Sequence, residues 1–269
     1  MTNEVLGAAF FAAFVAIAVT VAIEKFGGRL GGLIGTLPST IVPASIGFYS
    51  ESEDFNQAMW AVPIGMAVNV LFLWSWRWLP SVVTGHKRLP KVLSLSLLIW
   101  GLTALAAIFF LNQASFSLES IAWLTTLSIA AAGCWACKRT PPTPKKARPV
   151  GPIALFSRGL LAGVAIAVAV LLSKENPLLA GMASVFPAIF LTTMVSLWIA
   201  QGEEFQASAV GPMMLGSTSV ALYALIATYS IPAWGALSGS SAAWFGASLG
   251  ATLPAWLWLQ KQSPTKHMG

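Results

Sequence analysis

Residues 29–50 read Arg-Leu-Gly-Gly-Leu-Ile-Gly-Thr-Leu-Pro-Ser-Thr-Ile-Val-Pro-Ala-Ser-Ile-Gly-Phe-Tyr-Ser, with no charge between Arg29 and Glu51. That is enough apolar chain to cross a bilayer as a helix, which takes about 20 residues. Yet Pro38 and Pro43 fall inside it. A proline in a helix interior removes an amide donor and frees a carbonyl, and lipid tolerates this only where the freed group faces protein or a cavity. The stretch therefore predicts a broken membrane helix, with the hydroxyls of Thr36, Ser39 and Thr40 at the depth of the break.

The rest of the chain has the same character. Of 269 residues, 57% are hydrophobic and 9% are charged, with a mean hydropathy of +0.76. Soluble domains carry about 25% charged residues, so a soluble enzyme is excluded. Apolar runs lie at 5–24, 29–50, 55–78, 91–111, 117–137, 153–173, 178–200, 205–229 and 234–259, predicting an all-α polytopic membrane protein of about nine spans. The weakest boundary is Tyr229 to Pro232, and the last run reads either as one helix or as a helix with a re-entrant piece. Met1-Thr2-Asn3-Glu4 lacks the positive region of a signal peptide, so the first run is expected to stay in the membrane.

Charge sets the orientation. With the N-terminus outside, nine spans place 14 of the 15 Lys and Arg residues on the inner side, leaving Lys174 outside. This is the positive-inside pattern, and it accounts for the net charge of +6 without a nucleic-acid partner. The expected location is a bacterial inner membrane, N-terminus out and C-terminus cytoplasmic. Lipid is the expected environment, and a homo-oligomer is allowed.

An internal repeat runs at an offset of 149 residues. Val15-Ala16-Ile17-Ala18-Val19 returns as Val164-Ala165-Ile166-Ala167-Val168, Lys25 meets Lys174, and Gly32 meets Gly181. Pro38 meets Pro187 and Pro63 meets Pro212. One residue out of step, Glu53-Asp54-Phe55 meets Glu203-Glu204-Phe205. Five spans separate the two starts, so the copies must cross in opposite directions, the layout of many secondary transporters. The expected organisation is a first repeat at 1–137, a Pro/Lys linker at 138–152, a four-span second repeat at 153–260 and a tail at 261–269.

The candidate substrate-binding residues follow from the paired breaks. They are Thr36, Pro38, Ser39 and Thr40 in the second span, and Ser184, Pro187, Thr192 and Thr193 in the seventh. Asn69 joins them, because an uncompensated amide inside the third span is costly. Glu53, Asp54, Glu203 and Glu204 have two readings. Acids in a first helical turn suit the positive dipole end, or the doublets are mirror-related cation sites. Met66, Met213 and Met214 read as gap-fillers more readily than as thioether ligands. The two cysteines, Cys134 and Cys137, lack the second pair of a zinc site.

No catalytic constellation is present, and no cofactor is expected. The sequence points to a secondary transporter of a small solute, leaning to a cation or divalent metal because no Lys or Arg is evident inside a span. The alternatives are a carrier of a small organic anion or amino acid, and an intramembrane enzyme or structural membrane partner.

Overall fold

The computed structural model describes residues 3–26, 37–113, 116–139 and 151–261. Among them there are helices and no strands. The elements are α1 (Asn3–Phe26), a 3-10 turn (Pro38–Thr40), α2 (Val42–Glu51), α3 (Phe55–Val82), α4 (Arg88–Gln113) and α5 (Leu118–Lys138). There follow α6 (Pro152–Leu172), α7 (Pro177–Ser184), α8 (Ala188–Gln201), α9 (Glu203–Trp234), α10 (Ala236–Ala247), a π-turn (Ser248–Thr252) and α11 (Leu253–Lys261). Six of the nine expected spans are helices long and apolar enough to cross a membrane: α3, α4, α5, α6, α7 with α8, and α9. This is a helical membrane protein.

The centre of the molecule is the pair α3 and α9. Phe72, Leu73 and Trp76 of α3 and Tyr223, Leu225 and Ile231 of α9 are fully buried. The two helices run antiparallel, because Arg77, near the end of α3, donates to the carbonyl of Ala207, near the start of α9. Trp76 is thus a core residue at 0% exposure, although tryptophan near a span end is usually an interfacial anchor. By contrast, α4 buries only 17% of its apolar window inside the protein, so most of its surface is left for lipid.

Small residues let the helices approach. A Cβ on Gly159 of α6 would meet Ile17 Cδ1 at 2.7 Å, and one on Gly163 would meet the Ala9 carbonyl at 3.0 Å. Residues rising along α6 meet residues falling along α1, so this pair is antiparallel as well. With no hydrophobic drive between helices in lipid, such close backbone packing supplies much of the association energy. Gly181 of α7 has the Ala58 carbonyl directly over it, and Gly133 of α5 faces the Leu215 backbone.

Near the C-terminus, α9 runs through Pro232 to Trp234, where the sequence suggested an end at 229. Pro232 sits in the last turn, where it leaves the Thr228 carbonyl without its helical donor, and Gly235, at φ 80°, makes the reversal. Residues 236–261 then form one continuous helical stretch with a π-turn immediately before Pro254. Proline cannot donate back into the ladder, and a wider turn is a common way to absorb the missing bond.

Candidate functional site

Pro38 and Pro187 stand at matched positions, 149 residues apart; before Pro38 the described residues begin at Leu37. At the first, Leu37 is extended (φ −63°, ψ 139°), as the residue before a proline should be. Pro38 opens the 3-10 turn and Pro43 lies in the first turn of α2. Ser39 Oγ accepts from Trp244 Nε1 of α10 at 3.0 Å. Ser45 Oγ lies 2.6 Å from the Tyr223 hydroxyl of α9, tying α2 to the core. Beside this break is a cavity of about 310 Å³, lined by Phe11, Val15, Ser39, Val42, Ser240 and Trp244 among others. Thr40 is half-buried, and Thr36 lies outside the described residues.

At the second break, α7 ends at Ser184 and α8 starts at Ala188. The Phe186 amide turns back to the Ala183 carbonyl at 3.0 Å, and Leu191 donates to the Pro187 carbonyl at 2.7 Å. Asn69 of α3 is 1% exposed, and its Nδ2 donates to the Val185 carbonyl at 2.6 Å. Its Oδ1 accepts from Trp100 Nε1 at 2.9 Å. Trp100 in turn stands edge-on to Phe186, ring centres 5.2 Å apart. The amide that seemed costly inside a span is therefore compensated by a carbonyl that a continuous helix would have used itself. Both of its polar ends are engaged within the protein.

The hydroxyls differ in availability. Ser184 Oγ donates to the Gly181 carbonyl of its own helix at 2.7 Å. Thr192 Oγ1 lies 2.8 Å from the Ala188 carbonyl and 3.1 Å from that of Ile189, and it accepts from Arg158 Nε at 3.0 Å. Thr193, the next residue, is half-buried.

Arg158 was absent from the expected site, although it belongs to one of the long apolar helices. It sits six residues into α6, about 9 Å along the helix axis, and is 3% exposed. Its proximity to the linker makes it look like one more inner-loop cation. The signal that could have found it is its register: buried Ala162, Ile166 and Ala169 follow it along one helical face.

The acidic doublets lie at opposite ends of the antiparallel pair α3 and α9. The 28 residues of α3 separate the ends by about 42 Å at the helical rise, so no single ion touches both. Asp54 is the N-cap of α3, its Oδ1 accepting from the Gln57 amide at 2.9 Å, and Glu53 is exposed beside it. Glu203 forms a two-pronged pair with Arg88, at 3.0 and 3.1 Å, while Glu204 is exposed. Arg88, the first residue of α4, thus brings a cation to the start of α9. At the other end, Lys174 pairs with Glu51, and Ser52 donates to the Ser173 carbonyl. Among the described residues, no group of three or more His, Cys, Asp or Glu is placed to hold a metal ion. Met214 is buried in the core, and Met66 and Met194 contact the amides of Asn69 and Gln206.

Fold and site together define a helical membrane protein in which the span Pro177–Gln201 is interrupted between Ser184 and Ala188. Comparison with protein-family models, with curated proteins and with solved structures returns no match for this chain.

Proposed function

We propose that the protein is a secondary transporter that carries a small solute across a bacterial inner membrane by alternating access between two inverted copies, arranged as five plus four spans. The observation that carries the reading is the pair of buried prolines Pro38 and Pro187, 149 residues apart, each with a helix, α2 or α8, starting just beyond it. Irregular backbone at that depth is costly unless it serves a cavity or a ligand. The antiparallel packing of α1 on α6 and of α3 on α9 is what a two-fold axis in the membrane plane requires of mates 149 residues apart. The positive ends fit an N-out, C-in orientation, with the C-terminus cytoplasmic.

The test uses single cysteines at Ser39 and at its offset mate Ala188, in a full-length background lacking Cys134 and Cys137. In liposomes of known orientation, a membrane-impermeant thiol reagent should modify each position from both sides, because each break faces each side in turn. Modification of each from one side only would overturn alternating access. A structural membrane protein with fixed kinks gives that second result.

A further inference from the structure

The two prolines differ in what the protein places against them. At Pro187, Asn69 donates to the Val185 carbonyl and Trp100 stands edge-on to Phe186. At Pro38, the indole of Trp244 donates to Ser39 Oγ, and a cavity of about 310 Å³ remains beside the pair. That is the lower end of the range for small-molecule pockets, about 300–1,000 Å³. Its walls are held from two directions. Ser39 is tied to α10 through Trp244, and Ser45 of α2 is hydrogen-bonded to Tyr223 of α9. A pocket pinned in this way is largely formed before anything enters it.

The lining sets the chemistry. None of its ten residues is charged, and Phe11, Val15, Val42, Ile46 and Phe245 make most of the wall apolar. An ion entering here would lose its water with no opposite charge to replace it, which is costly. The polar groups of the wall are serines. Ser39 Oγ accepts from Trp244, and among the described residues its own proton has no acceptor. Ser241 gives its proton to the Leu237 carbonyl at 2.8 Å, so its oxygen still accepts. An apolar chamber thus presents a hydroxyl donor and a hydroxyl acceptor. We infer that this cavity is the solute site, and that the solute is a small uncharged molecule with an apolar body and an oxygen that accepts from Ser39. This rests on the transport reading above and replaces its cation and its organic anion with an uncharged solute.

The experiment is protection of a single cysteine, Val42→Cys, on the cavity wall of the full-length protein lacking Cys134 and Cys137. Cyclohexanone, cyclohexanecarboxylate and cyclohexylammonium share one ring and differ in charge, and methylcyclohexane lacks the oxygen. Cyclohexanone should slow modification by N-ethylmaleimide in a saturable way, while Ser128→Cys, on the exposed face of α5, reacts at an unchanged rate. Each charged probe should bind about 10-fold more weakly, or worse. Added to Val42→Cys, Ser39→Ala should weaken cyclohexanone by about 5-fold, near the net value of one hydrogen bond, and leave methylcyclohexane unchanged. Ser39→Thr, which keeps the hydroxyl, should keep the affinity for the ketone. Should Val42→Cys not fold, Ile46→Cys, one turn further along α2, takes its place. The site is overturned by any of three results: no saturable protection by cyclohexanone at either position, charged probes that protect equally well, or no preferential loss of the ketone in Ser39→Ala. Saturable protection alongside modification of Ser39→Cys from one side only would leave the site standing and remove the transport reading instead.

Discussion

Asn69 shows how a residue that looks like a ligand can belong to the scaffold that makes the ligand site. Its amide holds Val185 and Trp100 together at the break, with 1% of its surface exposed. Asn69→Ala should leave a buried carbonyl and a buried indole N–H unsatisfied, a loss of about 1–3 kcal/mol for each orphaned group. A melting curve in detergent should fall accordingly. The double variant with Trp100→Phe should lose less than the sum of the single losses, since the indole donor is then gone too, and the cycle measures that coupling. Asp54 is the opposite case, a residue whose plain reading fits its place. Asp54→Ala should cost about 1 kcal/mol of stability through the lost cap, and Asp54→Asn should cost little. The sequence allowed both roles to be posed, because proline and acid positions are visible in one dimension. Arg158 escaped because its meaning depends on which face of α6 it occupies and on what α8 brings to it, neither of which a count of basic residues contains.

At the scale of the element, the question is what keeps the seventh span open. Proline is half of the answer, since Pro187 has no amide to donate. Asn69 is the other half, since it occupies the Val185 carbonyl that a restored helix would need. Pro187→Ala alone should therefore leave the break largely in place, and only the pair with Asn69→Ala should let residues 184–190 close into helix. Amide exchange at Ile189 and Phe190 reads this directly, fast in P187A and slowed in the double variant. Equal protection in both would mean that proline alone sets the break. A second test concerns Gly202, at φ 90° and ψ 172°, the single residue between α8 and α9. No atom would obstruct a Cβ there, so Gly202→Ala should cost about 1–3 kcal/mol from backbone strain only. Gly101 also has open space but lies within helix α4. Gly101→Ala should instead stabilise by up to about 1 kcal/mol. Six of the spans were legible as long apolar runs. The end of α9 was not, because the helix continues past Pro232 at the loss of one hydrogen bond and the reversal is made by one glycine.

For the whole molecule, the decisive feature is that both ends are bridged at once. Arg88 pairs with Glu203 at one end and Glu51 with Lys174 at the other, and each pair joins a residue of 1–137 to one of 153–260. A carrier that alternates must part each bridge in turn; a rigid scaffold never parts either. The Arg88–Glu203 pair does not oppose such opening, since both side chains are more than one-third exposed and exposed pairs contribute roughly 0–1 kcal/mol; Glu51 is buried in the other pair. Cysteines replacing Arg88 and Glu203, or Glu51 and Lys174, in a background without Cys134 and Cys137, can be linked by a short cleavable thiol reagent. Either link should reduce solute uptake to background in liposomes, and cleavage should restore it. The unlinked double variant at Arg88 and Glu203 is expected to transport, because an exposed bridge is dispensable where a covalent one is not. Uptake that persists with both links closed would mean that the two ends do not move apart. In that case solute crosses, if at all, by a route that leaves the contacts between residues 1–137 and 153–260 intact, and the matched breaks at Pro38 and Pro187 are kinks that shape the packing.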